Sequence, residues 1–201
     1  MSAQGAVIVL CCLLVVGVLV VMLSSIAGRL DRLHIRLATT HASLNRQLID
    51  RAAATADVAH SGALDSACSV LLLAAADTAR HATTQAAQRG DVWGRDDVES
   101  ALSVDLRAVL GRPDAVAAAW HSKTARPLLV ELAESCDRVR LARRFHDDLT
   151  ARTAAVRRQR LVRLLHLAGH AAWPVVVELD DEPPAALLVA ADHAGPMPPA
   201  T

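Results

Sequence analysis

The hydrophobic pattern changes character once, just after residue 26. From Ala6 to Ile26 the chain is an unbroken uncharged run, AVIVLCCLLVVGVLVVMLSSI, and beyond it Leu30, Leu33, Leu37, Leu44 and Leu48 recur at steps of three, four and seven among charged neighbours. At 1.5 Å per residue a helix of about 20 positions rises roughly 30 Å, the thickness of a bilayer's hydrocarbon core. The first run therefore predicts a membrane-crossing helix. The leucine steps predict that the same helix continues, now amphipathic, to about His60, where Ser61-Gly62 ends it. Asp65 suits the N-cap of a second, Ala-rich helix from Ser66 to about Gln88, closed by Gly90. A loop over Gly90 to Gly94 follows, and Asp96 or Asp97 starts a third helix that runs to Leu110 and stops at Gly111-Arg-Pro113. Ala115 to Trp120 adds a short turn. Pro127 fits the first position of a long fourth helix with a C-cap at Gly169. On it Leu132, Val139, Ala142, Phe145, Leu149, Thr153 and Val156 form one stripe, which places Phe145 in the core.

Helices joined by short loops pack as antiparallel neighbours. The predicted fold is all-α: a single N-terminal transmembrane helix continuing into an antiparallel bundle of about four helices. The expected organisation is residues 1–5 outside the membrane, 6–26 across it, 27–172 as one helical domain, and 173–201 as a tail.

Charge changes this picture in two ways. Arg29, Arg32 and Arg36 follow the span directly while Met1 to Gly5 holds no Lys or Arg, so the N-terminus is expected outside and the remainder in the cytoplasm of a single-pass cell-membrane protein. The same continuity places the bundle close to the inner surface of the bilayer. A cleaved signal peptide needs a basic leader and a shorter apolar core, and a lipidated Cys11 or Cys12 needs more chain before it. At the other end, Glu178, Asp180, Asp181, Glu182 and Asp192 lie in a stretch with no Lys or Arg that also holds Pro183, Pro184, Pro196, Pro198 and Pro199. Such a composition predicts a largely disordered acidic tail beside a body that carries all the basic residues.

Composition agrees with helices. Hydrophobic residues make up 53% of the chain but aromatics only 2%, so Ala, Leu and Val must build the core, and Ala and Leu lead the helix scale. The four Cys show no CxxC spacing, and Cys68 and Cys136 fall on the side expected to be reducing, so neither disulfides nor thiolate metal clusters are expected.

Candidate chemistry is sparse. His166 and His170 are four apart, a spacing that lets two imidazoles share a helix face and ligate Zn²⁺, but Leu167 stands where a metalloprotease carries its glutamate. Both are read as cations near a helix C-terminus. Phe145-His146-Asp147-Asp148 sets a histidine beside two carboxylates and is read as a surface polar cluster next to a buried Phe. No GxxxxGK[ST] loop, GxGxxG or Arg-Glu dipeptide occurs. No catalytic, cofactor or metal residue is therefore assigned. The alternative is a small metal-dependent hydrolase or metal-sensing domain built on His146, His166 and His170. The densest charge runs from Arg138 to Arg163. It reads as a solvated, partly paired face, or as a contact for anionic lipid or a partner protein through Arg138, Arg140, Arg143, Arg144, Arg157 and Arg160. Without an aromatic platform, nucleic acid is not an expected partner.

Several strings together resemble a known family. Val139-Arg-Leu-Ala-Arg-Arg-Phe-His-Asp147, Arg160-Leu-Val-Arg-Leu-Leu-His-Leu-Ala-Gly-His170 and Glu178-Leu-Asp-Asp181 resemble the C-terminal signature of actinobacterial LemA-like membrane proteins. Arg29-Leu-Asp-Arg-Leu-His-Ile-Arg36 and Leu44-Asn-Arg-Gln-Leu-Ile-Asp-Arg51 resemble its N-terminal part. The resemblance implies a membrane helix followed by a cytoplasmic helical bundle, with no established catalytic activity. This chain has Asp147 where the family pattern reads Asn. The function expected is a non-enzymatic scaffold or interaction module at the membrane.

Overall fold

A computed structural model describes residues 3–89, 94–159, 162 and 173–194. Its described residues form six helices and no strand: α1 Ala3–His60, α2 Ser66–Arg89, α3 Arg95–Leu110, α4 Pro113–Trp120, α5 Ala125–Arg157 and α6 Ala185–Ala194. The punctuation follows the sequence chemistry. Gly62 adopts φ 73°, the left-handed conformation that ends a helix without a Cβ clash. Asp65 Oδ1 then accepts the Cys68 amide at 2.9 Å, the N-cap bond expected of it. Gly94, also at φ 73°, occupies the N-cap of α3, so that helix begins at Arg95 with Asp96 and Asp97 in its first turn. Pro113 opens α4, and the Ser122 hydroxyl accepts the Ala125 amide at 3.3 Å to open α5 two residues ahead of Pro127. α5 ends at Arg157, short of the predicted cap; Gly169 lies outside the described residues.

Where the sequence predicts one domain, the chain divides into two compact units, Thr40–Asp147 with Val177–Thr201, and Met1–Thr39 with Asp148–Val176. In the first, Ala52, Val58, Leu72, Ala76, Leu102, Leu106, Val116, Leu129, Leu132 and Leu187 share one apolar core to which all six helices contribute. A second cluster joins Leu44, Leu48 and Val139 to Val177 and Leu179. In the other unit Leu30, Val156 and Val162 are buried together, with Ile26 and Leu33 packed against them. Within α1 the large apolar side chains from Val7 to Met22 are all exposed. Among the described residues this is the one helix long and apolar enough to cross a membrane.

Two expectations fail. The segment expected to be a disordered tail is ordered over 173–194: residues 173–184 run without regular structure and lead into α6, whose Leu187 is fully buried. The alternation Val177-Glu178-Leu179 buries two apolar side chains, and Asp180 and Asp181 meet Arg107 and Arg143, so part of the charge that would hold a free tail in water is neutralised on docking. Residues 195–201 lie outside the described part. Phe145 is the second failure, at 60% exposed. The buried stripe of α5 runs through Leu132, Cys136, Val139, His146, Thr150 and Thr153, and Phe145 stands about 100° around the helix from His146.

Replacing a fully buried core leucine removes transfer energy and leaves a cavity, so Leu132→Ala and Leu187→Ala should each destabilise the protein by about 2 to 5 kcal/mol. Phe145→Ala should stay within about 0.5 kcal/mol. Thermal or urea unfolding of the detergent-solubilised chain measures all three; a silent Leu187→Ala would show that α6 does not dock.

Candidate functional site: a buried ionic network and its acidic strap

The interior of the Thr40–Asp147 unit is not wholly apolar. Arg51 of α1 and Glu99 of α3 are 2% and 0% exposed and form an ion pair at 2.7 Å. Arg51 Nη2 also donates to the Glu99 carbonyl at 3.1 Å, and its Nη1 donates to Ser103 Oγ at 2.9 Å. The other Glu99 oxygen accepts the Thr83 hydroxyl of α2 at 2.6 Å. Three helices are thus tied at one point by groups that have left water. Arg51 Nε is the one buried nitrogen of this set without a hydrogen-bond partner.

A second fully buried guanidinium, Arg95, donates through Nη1 to Asn45 Oδ1 at 2.6 Å and lies 3.2 Å from His41 Nε2. Its Nε and Nη2 donate to Asp96 Oδ1 at 2.9 and 2.7 Å. The His41 ring sits 5.8 Å from that of His146, whose Nδ1 is 3.5 Å from Asp147 Oδ1. Burial, reinforced by Arg95, lowers the His41 pKa. Burial lowers that of His146 as well, against an opposing pull from Asp147. Both imidazoles therefore favour the neutral form in the folded protein.

The strap from Val177 to Glu182 closes over this network. Its amides at Val177, Glu178 and Asp180 donate to Asp147 Oδ1, Asp96 Oδ2 and Ser100 Oγ at 3.3, 3.1 and 2.8 Å. The Asp180 carbonyl accepts Ser103 Oγ at 2.7 Å. Arg107 pairs with the Asp180 carboxylate and donates to the Glu182 carbonyl at 2.7 Å. The Arg107 hydrogen bond holds the Asp180 carboxyl below the ordinary carboxylate range. Arg143 bridges Asp181 at 2.7 Å and Asp147 at 3.5 Å. Beside it opens a cleft of about 630 Å³ lined by Arg140, Arg143, Arg144, Asp181, Glu182 and Leu188, among others, with carboxylates and guanidinium groups but no hydroxyl, thiol or imidazole in its lining.

The sequence-predicted residues fall out as follows. His146 is buried, not part of a surface cluster, and its neighbour Phe145 is outside: the pair is inverted relative to expectation. His166, His170 and Arg160 lie outside the described residues, and among those described no group of three His, Cys, Asp or Glu is placed to hold a metal ion. Arg138 pairs with Glu131 and Glu134, Arg140 with Asp137, and Arg152 with Asp148. Arg157 is nearly buried, with its guanidinium 4.9 Å from the Trp173 ring centre. Arg144 is exposed. Sequence reasoning missed Arg51, Glu99, Arg95, Asn45, His41 and Thr83. The signal was there: Arg51 stands three residues after Leu48 and seven before Val58, on the apolar stripe itself. No family model, curated protein or solved structure matches the chain.

Removing one partner of a buried pair strands the other charge, so Glu99→Gln should cost about 3 to 5 kcal/mol, and the double replacement Arg51→Met with Glu99→Leu should cost less than the single one. Equal or additive losses would show that the pair is solvated. The histidines predict a pH dependence. Because their pKa values are lowered on folding, the unfolded chain binds more protons just below about 6.5, and stability present above that value is lost as the pH falls through it. Melting temperature should drop between about pH 7 and pH 5, and the combined replacements His41→Gln and His146→Gln should flatten that slope.

Proposed function

We propose that the chain is a single-pass protein of the cell membrane with its N-terminus outside, anchored by residues 6–26, and that its cytoplasmic part is a non-enzymatic helical scaffold or interaction module built as an antiparallel bundle. The observation that carries this reading is the row of exposed apolar side chains from Val7 to Met22 on one helix, followed further along that helix by Arg29, Arg32 and Arg36. In water that surface would be an aggregation liability; in a bilayer it is solvated by lipid, and the arginines mark the cytoplasmic end. The resemblance to LemA-like membrane proteins supports the same arrangement.

The scaffold reading draws on how the polar interior is used. Arg51, Glu99, Arg95 and Asp96 are engaged with one another and with the strap, which is what a rigid, specific platform requires. A partner would find an open apolar groove of about 650 Å³ between α4 and α6, lined by Pro113, Val116, Trp120, Ala186, Val189 and Ala190 among others.

Two measurements test the anchoring. The full chain should stay in the membrane pellet after alkaline carbonate extraction, and a reporter active only outside the cell should be silent when fused after Arg51. Release into the soluble fraction would overturn the anchor. A bright reporter would reverse the orientation.

A further inference from the structure

We propose that the segment just beyond the apolar run carries a binding site for the phosphate of an anionic phospholipid headgroup, an inference that rests on residues 6–26 lying in a bilayer. Arg29, Arg32 and Arg36 recur at steps of three and four, so they share one face of α1 with Leu33. Facing them, Leu149, Arg152 and Val156 of α5 complete a cleft of about 270 Å³. Its floor is built: Leu30, Val156 and Val162 are buried together, with Leu33 and Ile26, the last apolar residue of the span, packed on them.

Charge and direction both point to a lipid anion. Among the described residues no ion pair involves Arg29, Arg32 or Arg36, whereas Arg138, Arg140 and Arg143 of α5 are each paired. Three exposed guanidinium groups on about two turns of helix repel one another and favour a shared anion. Helical side chains lean toward the helix N-terminus, and Arg32 does so: its Nη1 lies 3.7 Å from where a Cβ on Gly28 would stand. At 1.5 Å of rise per residue, Arg29 and Arg32 stand roughly 5 and 9 Å past Ile26, and the headgroup layer is about 5 to 8 Å deep. The backward lean brings these forks to phosphate level, where a guanidinium can bind two oxygens at once. Trp173, half exposed and stacked on Arg157 of the same unit, is the residue type enriched at that boundary. A soluble anion has the same phosphate chemistry, but the continuity of the floor with Ile26 commits the site to lipid.

The test uses the full chain in an uncharged detergent, titrated with phosphatidylglycerol, phosphatidylcholine or inorganic phosphate and read by native mass spectrometry. Phosphatidylglycerol should bind saturably and about tenfold or more above phosphatidylcholine. At roughly fivefold per arginine, Arg29→Gln with Arg32→Gln should weaken it about 25-fold. Arg138→Gln with Arg140→Gln should leave it unchanged. These arginines are exposed, so circular dichroism of the variants should match that of the parent, and Arg36→Gln alone gives a milder variant with the same expected direction. Equal binding of the two lipids, or equal loss in both double variants, would overturn the site. Inorganic phosphate binding as tightly as phosphatidylglycerol would overturn the lipid assignment. A chain that stays in the membrane pellet yet binds no phosphatidylglycerol sinks the site alone; a chain recovered in the soluble fraction sinks the anchor as well.

Discussion

Arg51 and Glu99 meet where water does not reach, and that single pair constrains much of the unit around it. A guanidinium and a carboxylate at this depth each lose several kcal/mol of hydration, recovered only if their remaining hydrogen-bonding capacity finds partners in place. Thr83, Ser103 and the Glu99 carbonyl are those partners, and they come from α2 and α3. A register shift of one residue in α1 would turn Arg51 by about 100° and leave Glu99 buried without a counter-ion. An Ala- and Leu-rich core has little shape to enforce one alignment, since such side chains slide past one another at small cost. The ionic pair supplies the directionality that the core lacks.

The same logic explains why an acidic, proline-bearing segment is ordered. Ser103, already bound to Arg51, also donates to the Asp180 carbonyl, so the strap is part of the network's own satisfaction. Arg107 and Arg143 then neutralise Asp180 and Asp181. Pro183 and Pro184 do not prevent docking, because proline is tolerated just ahead of a helix; the Pro184 carbonyl accepts the Leu187 amide at 3.1 Å and opens α6. Pairs this exposed contribute little one at a time. Together with buried Val177, Leu179 and Leu187 they fix the segment.

Legibility in the sequence followed the range of the interaction. Helix periods, the Asp65 cap, Gly62 as a terminator and the apolar run of 6–26 are local facts, and α1 to α3 formed where those signals placed them, whereas α5 ends short of its expected cap and α6 was not foreseen. Which face of α5 is inward is a long-range fact. Following hydrophobic residues alone selected Val139, Ala142, Phe145 and Leu149, whereas the buried line passes from Val139 to His146, Thr150 and Thr153, polar residues that a hydrophobic pattern does not mark. The strap failed for a similar reason: composition describes a segment's preference for water, not the arginines waiting on another element. The buried network was half legible, since Arg51 and Glu99 each sit on an apolar stripe, but their pairing across 48 residues is visible only in three dimensions.

Position, then, sorts the arginines more than number does. Arg51 and Arg95 are structural ions, enclosed and held by acceptors on α1 and α3. Arg107 and Arg143 hold the strap, and Arg138, Arg140 and Arg152 are balanced by acids within one or two turns of their own helix. Much of the described part of the densest basic stretch is therefore already paired. Arg29, Arg32 and Arg36, sparser in the sequence, have no ion pair among the described residues and lie within ten residues of the apolar run. A count of basic residues would direct attention to α5; the pairing pattern among the described residues draws it to the three arginines of α1, where the chain emerges from its apolar segment.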